Sequence, residues 1–296
     1  MVEKKCRKQV FMVLLLIMMG ILVGFQIMNY KERMEAERKT KLISYLAESH
    51  EKAEIENTIL KDFKKMKKED CTEVIDLYLH ATYALAYATP VDDETANALS
   101  AIMKEDRSFD LEELEEGEIK TFCKTLEEQN VVPRFVNGNL FFDVDYAYFY
   151  HTYGAFMNDD YAQMIKLYDE EKKKDYYNPE TNEMDYEVVE ERLNQIYQIL
   201  TAYPEAATKK SMLEYYNFYK SIYFGAYAQD YVFENGAKVK EDLLERYKTF
   251  AAADADLGNF LKEITDLYAE SGRTRTTEIF SKIKTFCGVA ETEENS

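Results

Sequence analysis

From Val10 to Met28 the chain reads VFMVLLLIMMGILVGFQIM, a run without a charged residue, and Lys4, Lys5, Arg7 and Lys8 stand just before it. At about 1.5 Å rise per residue such a run spans roughly 28 Å, close to the ~30 Å hydrocarbon thickness of a bilayer. The pattern predicts a transmembrane helix over 10–28, with 1–9 as a basic cytoplasmic tail. A cleaved export signal would leave through small residues. This run leaves through Phe25, Ile27 and Met28, so an uncleaved signal anchor is expected. Lys31, Arg33, Arg38, Lys39 and Lys41 follow the run, and the count of flanking cations therefore does not fix the orientation. The short basic tail abutting the run is the pattern that export machinery reads, which places the large domain outside the cytoplasm.

Beyond the run the apolar positions recur at helical spacing. Residues 29–69 are rich in Lys and Glu, with Leu42, Leu46, Ile59, Leu60, Phe63 and Met66 on a thin stripe, and read as a helical stalk. A helix over 73–88 should stop before Pro90, and a short one should follow to about Lys104. Asp110 with Glu113 forms a capping-box pattern for a helix ending near Glu128. Asn137-Gly138 sits between the apolar runs VVPRFV and NLFFDV, the dipeptide that a type I′ hairpin turn favours, so a small β-hairpin is expected there. Helices are predicted over 145–174, around the stripe Val189, Leu193, Ile196 and Leu200, and over 208–233, 238–252, 257–270 and 274–286. Residues 288–296 read as a disordered tail, leaving 70–287 as one α-helical domain. The fold class is mainly α: a transmembrane helix followed by a multi-helix bundle or solenoid-like domain with one small hairpin. Tyr83, Tyr153 and Tyr223 recur every 70 residues. No repeat consensus accompanies them, and with 24 tyrosines coincidence is the better explanation.

Charge narrows the partners. With 56 Asp and Glu against 37 Lys and Arg, the chain carries a net charge of −19, and such a surface repels the phosphates of nucleic acid. Cys71, Cys123 and Cys287 show no metal-ligand spacing and read as buried thiols. No cofactor or metal is expected. The paired acids Asp143/Asp145, Asp159/Asp160 and Asp254/Asp256 precede helices or open them, where a carboxylate offsets the macrodipole, and they read as caps rather than ligands.

Aromatic density is the remaining signal. Tyr146, Tyr150 and Tyr153 crowd one helix, and Tyr216, Tyr219, Tyr223 and Tyr227 crowd or follow another. Tyrosine pairs a flat apolar ring with a hydroxyl and suits both a packed core and a recognition surface. These seven are the candidate binding surface. With only three histidines and no nucleophile or phosphate-loop motif, no catalytic residue is assigned. The leading expectation is a membrane-anchored extracytoplasmic binding or scaffolding protein for a protein partner or an envelope polymer. The rivals are an envelope hydrolase using an Asp/Glu pair and a cytosol-facing, membrane-tethered assembly protein.

Overall fold

The computed structural model describes residues 33–46, 52–104, 108–136, 139–227 and 230–289. The predicted membrane run, the Asn137-Gly138 turn and the C-terminal tail from 290 onward lie outside these residues. None of the described helices is long and apolar enough to cross a membrane. The chain is mainly α-helical with small antiparallel hairpins, and it divides into two compact units, Met1–Ala81 and Thr82–Ser296.

In the first unit lie α1 (residues 33–46), α2 (Lys52–Phe63) and most of α3 (Lys68–Ala88). Leu42 of α1, Ile59 and Phe63 of α2 and Cys71, Val74 and Ile75 of α3 are all at most 1% exposed, so the three helices share one small core. Lys39 of α1 bridges Asp70 and Glu73 of α3. The described residues of the stretch expected as a stalk are thus α1, α2 and the start of α3, with a turn after α2 at Lys65 and Met66 closing onto the Asp62 and Phe63 carbonyls at 2.9 and 3.1 Å.

The second unit begins with the last turns of α3, which end just before Pro90 as the missing amide proton requires. Asp92 caps α4 (Asp93–Ile102) through Thr95 N at 2.7 Å. Asp110 does not open a full helix. It caps a single 3-10 turn, Leu111–Glu113, whose Leu111 and the following Leu114 are both buried, and α5 (Glu118–Glu127) starts only after Gly117. Strands β1 (Val131–Val136) and β2 (Asn139–Val144) pair antiparallel with Val136 opposite Asn139, the two-residue connection that the Asn-Gly signal predicts. Ala86, Leu99, Leu111, Leu114, Cys123, Leu126, Val131 and Phe142 form one cluster beneath these elements.

The predicted helix over 145–174 is two: α6 (Tyr146–Tyr153), capped by Asp145, and α7 (Asp159–Glu171). A 3-10 turn from Gly154 to Phe156 separates them and buries Met157, and the acidic Asp159 and Asp160 open the second helix. Then come β3 (Tyr177–Asn178) and β4 (Glu183–Met184), α8 (Tyr186–Ala202) and α9 (Lys209–Phe224). Helix α9 stops nine residues earlier than its pattern suggests because Gly225 turns left-handed, φ +68°. The segment beyond forms β5 (Phe233–Glu234) and β6 (Lys238–Val239) around Asn235-Gly236, both at positive φ, with Ala237 N–H on Glu234 O at 3.1 Å. Helices α10 (Glu241–Thr249), α11 (Ala255–Glu270) and α12 (Thr277–Cys287) complete the unit. Helix α9 packs on α8 and α12, α10 on α11, and α7 on α6 and α8.

Candidate functional site

The seven candidate tyrosines divide sharply. Tyr153, Tyr219 and Tyr223 are 0% exposed, Tyr216 and Tyr146 are also buried, Tyr150 is half-buried, and Tyr227 alone stands out at 63%. The recurrence of tyrosine every 70 residues joins unlike positions, since Tyr83 is 49% exposed where Tyr153 and Tyr223 are enclosed.

On α9 the buried phenols follow helical spacing and point at carboxylates. Tyr216 donates to Asp254 Oδ2 at 2.8 Å, Tyr219 to Glu171 Oε1 at 2.5 Å and Tyr223 to Glu190 Oε1 at 2.6 Å. The partners come from three elements: the N-cap of α11, the last turn of α7 and the second turn of α8. A buried phenol needs an acceptor, and each of these carboxylates supplies one. Burial, together with the neighbouring carboxylate, pushes all three phenol pKa values up. Glu190 also takes two bonds from the Arg246 guanidinium, at 2.9 and 2.7 Å, and that fork raises the arginine pKa further. Glu171 has no such fork. Burial raises its pKa, with the Tyr219 hydroxyl, Lys172 and Arg192 opposing. Tyr247 closes the set by donating to the Tyr223 carbonyl at 2.8 Å. The arrangement fastens helices together, and none of its carboxylates lines any of the clefts described below.

The acidic pairs serve the backbone. Asp145 caps α6 and Asp254 caps α11, while Asp143 accepts from Val144 N at 2.8 Å and pairs with Lys172 at 3.1 Å. Asp160, buried, accepts from the Thr208 hydroxyl at 2.7 Å. Among the described residues no group of three or more His, Cys, Asp or Glu is placed to hold a metal ion. His80 and His151, on aromatic helices where a hydrogen-bonded core or boundary histidine is the default reading, are exposed; His80 Nδ1 meets its own helix at Asp76 O, 2.8 Å away. Cys71, Cys123 and Cys287 are buried free thiols, their pKa values pushed up by burial to about 12, 11 and 12.

Two clefts of the second unit bear on recognition. One, of about 330 Å³, runs between α7 and α8 and presents the amides of Gln163, Gln195 and Gln198 beside Lys166 and Glu170. The other, of about 460 Å³, lies between the end of α3, the start of α4 and α5. Its lining combines an apolar set, Ala88, Pro90, Ile119 and Phe122, and the neutral Thr89 and Thr95 with three exposed acids, Asp92, Glu94 and Glu118. Phe122 is 41% exposed, with its far side braced edge-on against Phe142 at 5.8 Å. Tyr83 and Tyr87 stack on each other at 6.4 Å on α3, and Tyr87, next to Ala88 in sequence, is 83% exposed. Sequence reasoning passed over this region because Phe122 reads as one apolar position of an amphipathic helix; the signal that could have found it is the run of acids around it.

No protein-family model matches this chain, and neither a curated protein nor a solved structure does.

Proposed function

We propose that this chain is a single-pass membrane protein whose helical domain serves as a binding or scaffolding module outside the cytoplasm. The observation that carries the reading is the uncharged run from Val10 to Met28 behind Lys4, Lys5, Arg7 and Lys8, long enough for a bilayer and lacking a small-residue exit. The partner is a protein or an envelope polymer; the net charge of −19 disfavours nucleic acid. Recognition falls to the surface that the buried tyrosines leave over: Tyr227, part of Tyr150, and the two clefts. Protease added to intact cells carrying a C-terminally tagged full chain tests the reading, with the membrane pellet assayed in parallel. Digestion without lysis, with untreated full-length protein in the pellet, supports an anchored exterior domain. Protection until lysis puts the domain inside and overturns the placement, and full-length protein in the soluble fraction overturns the anchor.

A further inference from the structure

The cleft between α3, α4 and α5 differs from the rest of the molecule in its charge. From Thr82 to Glu128 the sequence holds thirteen Asp or Glu against four Lys or Arg, a ratio above three, where the whole chain has 56 against 37. The described cations of that segment are already engaged within it. Lys104 pairs with Asp110 and Glu113 at 3.5 and 3.7 Å, Lys120 with Glu116 at 2.8 Å, and Lys124 with Glu112 at 2.6 Å. No Lys or Arg lines the cleft, and the Thr95 backbone amide holds the Asp92 carboxyl below its usual range. The rest of the lining carries no charge: Thr89, Thr95, Ala88, Pro90, Ile119 and a Phe122 ring that is 41% exposed and meets Phe142 edge to face.

An apolar patch sharing one cleft with three acids and no base selects a segment that presents an apolar side chain next to cations. The apolar residues supply contact for the anchor, and the acids reward flanking Lys or Arg while repelling acidic partners. A second copy of this chain would bring its own acids to the contact, which like charge opposes. We infer that the α3–α5 cleft docks a basic, amphipathic peptide segment of a partner protein, its apolar residue on Phe122 and its cations on Asp92, Glu94 and Glu118. Tyr83 and Tyr87 add two exposed rings on α3, Tyr87 next in sequence to Ala88 of the cleft, suited to stacking on an arginine or covering a lysine stem. The inference rests on the domain being a binding module and is indifferent to which side of the membrane it faces.

The test uses the full chain in detergent micelles and a short synthetic peptide carrying one photoreactive leucine flanked by lysines, with a twin in which glutamates replace the lysines. Crosslinks mapped by mass spectrometry should fall on Tyr87, Ala88, Ile119 and Phe122, and the glutamate twin should give none. Glu94→Gln with Glu118→Gln should weaken capture about tenfold, and Tyr87→Ala about threefold. All three residues are exposed, so these variants keep the fold. Glu234→Gln with Glu241→Gln, exposed acids that do not line the cleft, should leave capture unchanged. Crosslinks scattered over the acidic surface, or equal loss from both acid pairs, would overturn the inference. So would saturable binding of a neutral oligosaccharide at Phe122 in place of the peptide, or concentration-dependent self-association that Tyr87→Ala abolishes. Failure here with an exterior, membrane-bound domain in the cell assay removes the docking site alone. Site-specific capture with a domain that stays protected in that assay removes the placement alone.

Discussion

Tyr219→Phe is the most informative single change, because it removes one hydroxyl and nothing else. The ring is 0% exposed, and its hydroxyl is 2.5 Å from Glu171 Oε1. A hydrogen bond to a charged acceptor contributes about 1.5–3 kcal/mol, and Glu171 lacks the guanidinium fork that Glu190 has, so a loss of about 2 kcal/mol is expected at pH 7. In a domain of this size that lowers Tm by roughly 4–8 °C. The pH dependence gives the sharper test. Burial raises the Glu171 pKa in the fold, and the Tyr219 hydroxyl partly offsets this by favouring the ionised form. A raised folded pKa means that the carboxyl favours the fold below its unfolded pKa and that this contribution is lost as pH rises through the folded value. Deleting the hydroxyl raises the folded pKa further, so the deficit of Tyr219→Phe should be full above that pKa and fade as the medium is acidified below it. Glu171→Gln keeps an acceptor for the phenol and removes the buried charge. It should therefore cost less than Tyr219→Phe at pH 7, and the double variant should lose less than the sum of the two. Thermal unfolding of the full chain in detergent, followed by circular dichroism at several pH values, measures all of this. A deficit that does not change with pH, or a Glu171→Gln variant less stable than Tyr219→Phe at pH 7, would refute the reasoning.

Tyr223→Phe should cost less, about 1 kcal/mol, because Arg246 still holds Glu190 through two bonds; a loss larger than that of Tyr219→Phe would contradict the account. Gly225→Ala should be severe, above about 3 kcal/mol, since a Cβ at φ +68° would lie 2.6 Å from Phe233 Cε2 and 2.8 Å from Val232 Cγ1. A melting curve of the full chain in detergent decides it, and a near-native melt would show that the turn can yield. Asp185→Ala removes the acceptor for Glu187 N and Val188 N at the start of α8 and should cost about 1 kcal/mol, read as a shift in the urea midpoint. A thiol reagent at pH 8 should leave Cys71, Cys123 and Cys287 unmodified in the native chain and reach all three in urea; rapid native labelling of any of them would contradict their burial.

The helices were largely legible in the sequence because apolar spacing and stop signals act locally. Pro90 closes α3, Asp145 opens α6, and Asn137-Gly138 fits the two-residue gap between β1 and β2. Where the reading strayed, a local signal was outweighed or overlooked. The Asp110 capping pattern was real as a cap but met Gly117 before a helix could grow. Asn235-Gly236, the same turn dipeptide as Asn137-Gly138, went unread because its flanking strands are two residues long and show no alternation. The hairpin of β3 and β4 was hidden for the same reason. Aromatic density favours a packed core for most of these tyrosines, but which of them stay at the surface is not legible in the sequence. Period alone says that Tyr216, Tyr219 and Tyr223 share a face, but whether that face is wet depends on Asp254, Glu171 and Glu190, which lie 38, 48 and 33 residues away.

These long-range pairs give part of the acidic excess a structural role. Helix α9 is buried on nearly every side along its last two turns, with Tyr219, Lys220, Ser221, Ile222, Tyr223 and Phe224 all enclosed. A helix so enclosed must satisfy its phenols internally, and a carboxylate is the acceptor that returns the strongest bond. Asp254, Glu171 and Glu190 each tie a different neighbour to α9, so a change at any one of them is felt as stability. The α3–α5 cleft is built the other way. Its acids are exposed, Ile119 of its lining packs on the separate cluster that holds Leu99 and Cys123, and none of its acids bonds to the α9 phenols. Glu94 and Glu118 can therefore be neutralised independently of the acceptors of the α9 phenols, one set read by peptide capture and the other by melting, with Asp92 left in place because it also caps α4. Substitutions of Asp254, Glu171 or Glu190 that change capture while leaving the melt unmoved would break this division of roles.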